Sequence, residues 1–451
     1  MIVLLSKPSG DFRPIGLFPS LYRLWGKCRR SYATKWEAEH DRPYFAGGKG
    51  TSAIETVWRQ AARAEAGIAS NEVAVTVLWD LVKYYETILL PRLVEAGQRQ
   101  GFTMQIMRLS VNMYGCGRHI QMHNMVKGPY YAICGIIAGC PFATTYTRVY
   151  TIEALDRVRL PPTVHLDLYI DDSGTSAAGN QQAVVDDIVN ATTQIHEALV
   201  TDLRCNVSTT KAAVVSTSQK VIKALEQRLD NLAGTSQPHH TAVNLGVDFT
   251  AGKPVRQQGR HMKHHKRQEK LAIQTDRLHR LTSTLGSRAH RIFTSGHAPG
   301  ATYAAPVYGI SNGELQNLRR SAGAAMKPAA AMRSLKTTLI LHDDPTERHA
   351  NAPADAWAKE IWHAHQLPSQ VRRLKLKELR FLWEQVYPNW KDKTWRSVSG
   401  PMGALTLTLR RIDWTMRDFA TFTDHQGTHH VLTTTPPAMI RLFLHSAMIR
   451  I

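Results

Sequence analysis

Three aspartates stand where two apolar runs of the sequence end. Asp80 closes the run EVAVTVLWD, and Asp171 and Asp172 close the run HLDLYIDD. Like charges side by side repel unless cations neutralise them, and carboxylate oxygens are ligands that Mg²⁺ prefers. Two such ions roughly 3.5–4 Å apart can activate an attacking hydroxyl and stabilise a leaving pyrophosphate. The residue types indicate metal-assisted phosphoryl transfer, whereas the Asp-Asp-Ser-Gly spacing alone fits a solvated turn equally well.

Two predicted strands must position these carboxylates. Apolar and polar residues alternate from Val164 to Asp171, which is typical of a half-buried strand. The turn residues Asp172, Ser173 and Gly174 then predict a hairpin whose second strand is TSAA. The same alternation predicts a strand from Val73 to Asp80. If the two strands are neighbours in one sheet, the three carboxylates converge at one edge.

Composition and charge bound the class of protein. The chain has 451 residues, of which 43% are hydrophobic, so it can form two or three globular domains. Lys and Arg number 56 against 36 Asp and Glu, a net charge of +20 that favours a polyanionic partner, nucleic acid before anionic membrane. Five scattered cysteines without C-x-x-C spacing predict reduced thiols in an intracellular protein, and neither a disulfide framework nor a zinc site.

One uncharged stretch approaches the length of a membrane span. It is GPYYAICGIIAGCPFATTYT, residues 128–147, and Pro141 and several glycines interrupt it. We therefore interpret it as a buried loop that leads into a helix. The opening MIVLLSKPSG has neither a basic leader nor a long apolar core, so no signal peptide is expected.

Further patterns divide the chain. Thr51 and Ser52 are candidate N-caps of a helix, NLGVDF predicts a short strand, and helical pattern dominates residues 176–200 and 217–233. The composition becomes strongly basic from Arg256, which places a boundary near residue 252, and a Pro/Ala-containing stretch suggests another near 345. VRRLKLKELRFLWEQV is the clearest amphipathic helix beyond it.

Seven motifs, in order over the first 250 residues, resemble those of reverse transcriptases, and are most similar to the non-LTR retrotransposon branch. SKPSGDFRPIGL resembles the fingers motif, FAGGKGTSAI the glycine-rich element, and WDLVKYYETI motif A. GIIAGCPFAT resembles motif B, YIDD is motif C, NVSTTKAAVV resembles motif D, and NLGVDF resembles the primer grip. Each motif is weakly specific, but the ordered set is strong.

The resemblance implies a role for each matching residue. Asp80, Asp171 and Asp172 would be catalytic, and with Leu81 would hold two Mg²⁺ ions, for which Mn²⁺ can substitute. The implied nucleotide-binding residues are Lys7, Arg13, Tyr85, Gly139 and Lys211, with Tyr85 blocking a ribose 2′-OH. The implied template and primer contacts are Pro141, Tyr169, Leu245 and Gly246, and the thumb-like position of a basic run adds Lys263, Lys266 and Arg267.

The resemblance also implies a fold and an activity. The fold is α+β, a right-hand polymerase with fingers and palm over residues 1–252 and a thumb-like basic helical region over 253–345. Residues 346–451 form a helical, Trp-rich, basic extension of unknown role. The activity is RNA-directed DNA synthesis from a primer 3′-OH as part of a retrotransposon. Its partners are an RNA template, a DNA primer or primer–template hybrid, and deoxynucleoside triphosphates, with no membrane and an intracellular, nuclear location.

Three departures from the family pattern keep alternatives open. Ala138 stands where Gln usually precedes Gly-Cys-Pro, Glu86 stands where Asp is typical, and the chain opens almost on the fingers motif, as expected for a fragment of a larger element. One alternative is a domesticated nucleic-acid-binding protein with weak or no catalysis. An RNA-dependent RNA polymerase is less favoured, because that group typically has Gly-Asp-Asp and a polar residue in place of Tyr85.

Overall fold

The computed structural model describes residues 1–7, 10–48, 50–208, 212–229, 238–239, 241–258, 262–286, 288–326, 334–341, 344–367 and 373–449. The strands are β1 (Ile2–Ser6), β2 (Phe12–Gly16), β3 (Val73–Val82), β4 (Arg118–Met122), β5 (Met125–Tyr130), β6 (Val164–Tyr169), β7 (Asp172–Gly179), β8 (Asn206–Val207), β9 (Ala213–Ser216), β10 (Pro238–His239), β11 (Ala242–Asn244), β12 (Val247–Phe249), β13 (Thr415–Asp418), β14 (Thr421–Thr423) and β15 (His429–Val431).

Helices occupy much of the remaining chain, so that the structure mixes helix and strand as an α+β class requires. They are α1 (Ser20–Glu39), α2 (Ala53–Ala69), α3 (Tyr84–Thr87), α4 (Leu90–Arg99), α5 (Met104–Gly115), α6 (Ala143–Leu155), α7 (Gln181–His196), α8 (Gln219–Leu229), α9 (Lys263–Leu285), α10 (Arg288–Ile292), α11 (Ala298–Ala301), α12 (Ala305–Tyr308), α13 (Asn312–Ala324), α14 (Leu335–Leu341), α15 (Glu347–Ala350), α16 (Ala352–Gln366), α17 (Leu376–Val386), α18 (Pro401–Arg411) and α19 (Pro437–Met448).

The central sheet has the strand order β10-β9-β3-β7-β6, and β8 pairs with the end of β3. Val75, Val77 and Trp79 on one face of β3 pack against α7 and α8 in one buried cluster. On the other face Leu78 packs with α2, whose Trp58 and Ala62 share its cluster. Helices therefore cover both faces. The strand predicted from Val73 to Asp80 is confirmed, but it continues to Val82, because Leu81 and Val82 pair with β8.

A second, smaller sheet forms from the N-terminal hairpin and from the segment between α5 and α6. Its order is β2-β1-β4-β5, with β1 antiparallel to β2 and parallel to β4. The expected buried loop in this part of the chain is wrong for its first half. Tyr131 is 73% exposed and Ile133 is 91% exposed, because the chain leaves the outer strand β5 before it reaches the core at Ile136. Within the described residues, no helix combines the length and apolar composition that a bilayer crossing requires.

The C-terminal helices share a hydrophobic core with α2. Trp58 of α2 lies 6.1 Å from Trp357 of α16, measured between ring centroids. The predicted amphipathic helix is confirmed as α17, whose buried face of Leu379, Leu382 and Val386 belongs to the same cluster. The helices α16 and α17 therefore pack directly on the helix that covers the central sheet.

A buried carboxylate joins α2 to α18. Glu65 is 3% exposed, and its oxygens accept hydrogen bonds from the backbone N–H groups of Met402, at 2.8 Å, and Gly403, at 3.0 Å. These are the first turn of α18, where N–H groups have no partner inside the helix. Burial raises the pKa of Glu65 to about 7. One side chain of α2 thus caps a helix more than 300 residues away along the chain.

Candidate active site

The predicted hairpin is confirmed, but its turn is not at Asp172, Ser173 and Gly174 as predicted, because these residues are the first part of β7. β6 and β7 pair antiparallel with Tyr169 opposite Asp172, which leaves Ile170 and Asp171 as a two-residue turn. Ile170 has φ of 63°, a left-handed conformation that costs a β-branched residue about 1–3 kcal/mol. Such strain persists only where the surrounding structure imposes it, and it concentrates at functional sites.

The two strands predicted to end in aspartate, β3 and β6, lie in one sheet but are not neighbours, because β7 lies between them. β3 pairs antiparallel with β7, and Asp80 lies directly opposite Asp172. The backbone N–H of Leu81 donates to the carbonyl of Asp171 at 3.2 Å. Opposite residues of an antiparallel pair share a face, with Cβ atoms about 4.5–5.5 Å apart. The backbone therefore brings all three aspartates, each partly exposed, to one edge of the sheet.

The carboxylate oxygens at this end of the sheet suit a hard cation, but the side chains are not arranged as a metal-binding group. Across the part of the chain that the structure describes, no group of three or more His, Cys, Asp or Glu side chains is arranged to hold a metal ion. The carboxylates of Asp80, Asp171 and Asp172 are oxygen donors of the kind that Mg²⁺ prefers. The backbone brings them together, because Asp80 lies opposite Asp172 and Asp171 directly precedes Asp172.

Tyr85 lies beside the hairpin tip. Lys83, with φ of 51°, turns the chain out of β3 into the short helix α3, which carries Tyr85 in a partly buried position. Burial raises the pKa of Tyr85 to about 12, and the charge of Asp171 contributes to that rise. The phenol is thus within electrostatic reach of Asp171. Its neighbour Tyr84 is fully buried in the core.

The loop from Gly135 to Pro141 connects this region to the N-terminal sheet. The N–H of Ile136 donates to the carbonyl of Tyr85 at 2.8 Å, and the N–H of Gly16 donates to the carbonyl of Ala138 at 2.7 Å. Gly139 has φ of 106°, and a Cβ there would lie 2.5 Å from the carbonyl oxygen of Gly16. Only glycine fits that approach.

Pro141 ends this loop against α1. Its Cγ would lie 2.6 Å from a Cβ at Gly26, so these two residues are in close contact. Arg30 of the same helix donates to the carbonyl of Pro141 at 3.0 Å. The loop that carries Gly139 and Pro141 is therefore held from two sides.

The first hairpin of the chain reaches towards the same edge. Lys7, at the end of β1, forms an ion pair with Asp11 at 3.0 Å, and Arg13 is exposed on β2. The Phe12 N–H is the main cause that lowers the pKa of Asp11, followed by Lys7, and Lys83 also contributes. Lys83 follows Asp80 by three residues, so Asp11 lies within electrostatic range of the end of β3.

The glycine-rich segment runs alongside β6. The N–H of Ala46 donates to the carbonyl of Leu168 at 2.9 Å, and a Cβ at Gly47 would lie 3.2 Å from the ring of Tyr169. Ser52 is confirmed as the N-cap of α2, in a capping box with Glu55. Thr51 instead donates its hydroxyl to the carbonyl of Gly48 at 3.1 Å.

A cavity of about 510 Å³ opens between this segment, α1, α6 and the end of β6. Among the residues that line it are Arg30, Gly47, Arg148 and Tyr169. The guanidinium of Arg148 lies 4.8 Å from the ring centroid of Phe45 and donates to the carbonyl of Gly47. The cavity therefore has two cations in its walls next to the hairpin tip.

The segment NLGVDF forms a hairpin and not a single strand. β11 and β12 pair with Asn244 opposite Val247, which leaves Leu245 and Gly246 in the turn. Both turn residues have positive φ, 46° and 85°, as a type I′ turn requires. The predicted strand is interrupted at Leu245 and Gly246 because residues with positive φ do not continue a β-strand.

The basic run after residue 260 divides by environment. Lys263 and Lys266 are exposed, whereas Arg267 is partly buried and donates to the carbonyl of Gly246 at 2.7 Å. His264 pairs with Glu314 at 2.6 Å. Only the two lysines of the three predicted contacts present their charge outward. Lys211, the remaining predicted site residue, lies outside the described residues.

The sequence patterns did not indicate the roles of two residues near this turn, Asp248 and Tyr303. The carboxylate of Asp248 accepts from the N–H groups of Lys263, at 2.9 Å, and His264, at 2.7 Å, and so caps α9. Tyr303 donates its hydroxyl to the carbonyl of Leu245 at 3.4 Å. Neither role left a local pattern in the sequence, because Asp248 lies 15 residues before Lys263 and Tyr303 lies 58 residues from its acceptor.

Comparison with known proteins adds no name to this site. The chain matches no protein-family model, and no curated protein is significantly similar to it.

Proposed function

We propose that the protein is an RNA-directed DNA polymerase that adds deoxynucleotides to a primer 3′-OH. The observation that carries the proposal is the pairing of β3 with β7, which sets Asp80 opposite Asp172, with Asp171 at a strained turn. The ordered motifs of the sequence support it, because the residues matched to motifs A, B and C lie around one edge of one sheet. The excess of basic residues supports a nucleic-acid partner.

The aspartates fit two Mg²⁺ ions in donor chemistry. Asp80, Asp171 and Asp172, with the main chain of Leu81, would hold them, and Mn²⁺ is an alternative ion. When bound, such ions would activate the primer 3′-OH as a nucleophile and stabilise the leaving pyrophosphate.

The remaining residues of the site would bind and orient the substrates. Tyr85 lies where a bulky ring can exclude a ribose 2′-OH, because it sits beside Asp171 and its main chain is tied to the loop at Ile136. Arg13 is an exposed cation available to a triphosphate, whereas Lys7 shares its charge with Asp11. Gly139 would act through the shape of its loop, because its φ of 106° and its close approach to the Gly16 carbonyl fix the backbone there.

In this proposal the fold is a right hand. The central sheet is the palm, the sheet of β1, β2, β4 and β5 is the fingers, and the basic helical region from α9 is the thumb. An RNA template and a DNA primer would lie between them, and a nuclear location would follow from a role in a retrotransposon.

Primer extension with the purified protein tests the proposal. We expect deoxynucleotide addition on an RNA template with Mg²⁺, and less on a DNA template, with loss of activity in Asp171→Asn. Preferential use of ribonucleotides would instead support an RNA polymerase.

A second candidate is a nucleic-acid-binding protein without catalysis. Two observations favour it: Ala138 replaces the polar residue usual in motif B, and the aspartates are not gathered as a three-ligand group. Binding of primer–template with no extension under any divalent cation would select this candidate.

A further inference from the structure

The turn between β11 and β12 has both of its carbonyl groups held by side chains from the helical region that follows. Arg267 of α9 donates to the carbonyl of Gly246 at 2.7 Å. Tyr303, between α11 and α12, donates to the carbonyl of Leu245 at 3.4 Å. The two side chains also contact each other, since the guanidinium lies 5.0 Å from the centroid of the Tyr303 ring. Together they form a clamp, Arg267 and Tyr303, on a two-residue turn.

The turn fits closely against this clamp. A Cβ at Gly246 would lie 3.5 Å from Cε1 of Tyr303 and 3.6 Å from Nη2 of Arg267. Gly246 also has φ of 85°, which other residues rarely adopt. The backbone conformation therefore favours glycine at position 246, and the clamp lies within ordinary van der Waals distance of it.

A third contact fixes the hairpin to the helix that carries Arg267. Asp248 of β12 caps the first turn of α9 through the N–H groups of Lys263 and His264. Arg267 follows Lys263 by four residues and so lies one helical turn along the same face. The hairpin and the start of α9 consequently behave as one unit, with the turn held at two points and the strand at a third.

The clamp also faces the aspartate hairpin. Burial is the main cause that raises the pKa of Tyr303, and Tyr169 adds to it, so the two phenols are close to each other. Tyr169 is opposite Asp172 in the β6–β7 pair. Tyr303 therefore bonds to the Leu245–Gly246 turn and lies within electrostatic range of Tyr169, the last residue of β6.

Arg267 is poorly placed to serve as a phosphate contact in solution. Burial lowers its pKa, and its guanidinium is engaged by a backbone carbonyl and an aromatic ring. A cation used in this way acts on the protein and not on the nucleic acid.

We propose that Arg267 and Tyr303 are positioning residues for primer extension, which fix the Leu245–Gly246 turn and, through it, the primer 3′ end relative to Tyr169 and the aspartates. The proposal rests on the polymerase function proposed above and adds two residues that the ordered motifs do not contain. It requires that loss of the clamp slow the chemical step more than it weakens binding of the primer–template.

Single-turnover addition of one deoxynucleotide to a saturating primer–template tests the clamp. We expect Arg267→Ala and Tyr303→Ala each to lower the rate by about tenfold or more, because small displacements of reacting groups are costly. The dissociation constant of the primer–template should change little. Tyr303→Phe keeps the ring and loses only the bond to Leu245, so its rate should lie between those of Tyr303→Ala and the parent.

The combined variant and a matched control sharpen the test. Both residues act on the same turn, so Arg267→Ala with Tyr303→Ala should be barely slower than the slower single variant. Arg319→Ala is the control, because Arg319 is also a partly buried arginine with an internal partner, Asp344, at 3.0 Å. It should lower the melting temperature without changing the rate per folded molecule.

Two outcomes would overturn the clamp. One is an unchanged rate per folded molecule in both alanine variants, with only the melting temperature lowered, which would make the residues structural. The other is weaker primer–template binding with an unchanged rate at saturation, which would make Arg267 a backbone contact. A parent protein that adds no nucleotide to any template overturns the polymerase proposal itself, and the clamp with it.

Discussion

Asp167 and Asp171 lie four residues apart and belong to different kinds of site. Asp167, in the middle of β6, is 5% exposed and accepts hydrogen bonds from Gln60 and Arg63, each at 3.1 Å. Asp171, at the tip, is partly exposed in a turn whose preceding residue is strained. The first carboxylate is committed to the fold, whereas the second stands at an edge where a ligand can reach it. Residue type and strand alternation are the same for both, so environment alone separates them.

The surroundings of Asp167 extend the contrast. Arg59 is fully buried, and its guanidinium nitrogens have no hydrogen-bond partner. Burial lowers its pKa, and the charges of Glu360 and Asp167 oppose that shift. Glu360 also pairs with Arg373 at 2.9 Å. These residues form a buried charge cluster between α2, β6 and the C-terminal helices. Their charges help to hold these elements together.

The largest expected effect is at the tip. Asp171→Asn should lower the rate of primer extension by about 10³-fold or more, because it removes charge from a site whose chemistry is electrostatic. Binding of primer–template should be retained. The measurement is the single-turnover rate alongside the dissociation constant, and equal rates in variant and parent would show that the tip is only a turn.

Asp167→Asn is the matched control on the same strand. Breaking a buried ion pair leaves Arg63 without its countercharge and should cost about 3 kcal/mol in the free energy of unfolding. The rate per folded molecule should remain close to that of the parent. A loss of rate without a loss of stability would place Asp167 in the active site, so that Asp167 and Asp171 would no longer differ in role.

Glu65 extends the comparison to a second buried carboxylate. Its folded-state pKa of about 7 lies above the ordinary glutamate value of 4.5, so between these pH values the folded chain holds a proton that the unfolded chain has lost. Its contribution to stability is therefore largest below pH 4.5 and falls as the pH rises to 7. We expect the difference in unfolding free energy between parent and Glu65→Gln to change by roughly 2 kcal/mol from pH 5 to pH 8. Urea denaturation measures it, and a difference independent of pH would contradict the assignment.

Tyr85 tests how far the tip extends. Tyr85→Ala should raise the use of a ribonucleotide relative to its deoxynucleotide by about tenfold, because exclusion by a steric clash is lost. The measurement is the ratio of kcat/KM for the two substrates. If both substrates suffer equally and the protein is less stable, Tyr85 is a packing residue, and the RNA polymerase alternative gains weight.

The smallest effect is expected at the basic run, where the same contrast recurs among cations. We expect replacement of Lys263 and Lys266 with Gln to make the slope of log affinity against log salt concentration less steep by about two. Each lost phosphate contact accounts for about 0.9 of that change. Arg267→Gln alone should leave that slope unchanged, because its guanidinium is engaged within the protein. Equal flattening by Arg267→Gln would return this arginine to the nucleic-acid interface.

Local patterns predicted the elements of the site and long-range contacts determined the rest. Alternation and spacing predicted the hairpin at Asp171, the strand through Asp80, the cap at Ser52 and the helix α17. The turn residues misled, because Asp172, Ser173 and Gly174 belong to β7. The fate of Asp167 does not, because its donors lie 104 and 107 residues away. Likewise, nothing near Arg267 in the sequence indicates that Gly246 is its acceptor. The exposure of Ile133 was not predicted, because a continuous apolar stretch does not indicate which of its residues lie outside the core.

The cap that Glu65 places on α18 bears on how this protein can change over generations. A Cβ at Gly400 would lie 2.6 Å from the Glu65 carboxylate, and one at Gly403 would lie 2.2 Å from Trp390. A substitution on α2 therefore restricts what is tolerated some 340 positions later, and the reverse holds equally. Exchanging the first 252 residues with those of a related chain should give a folded protein only when the C-terminal helices are transferred with them.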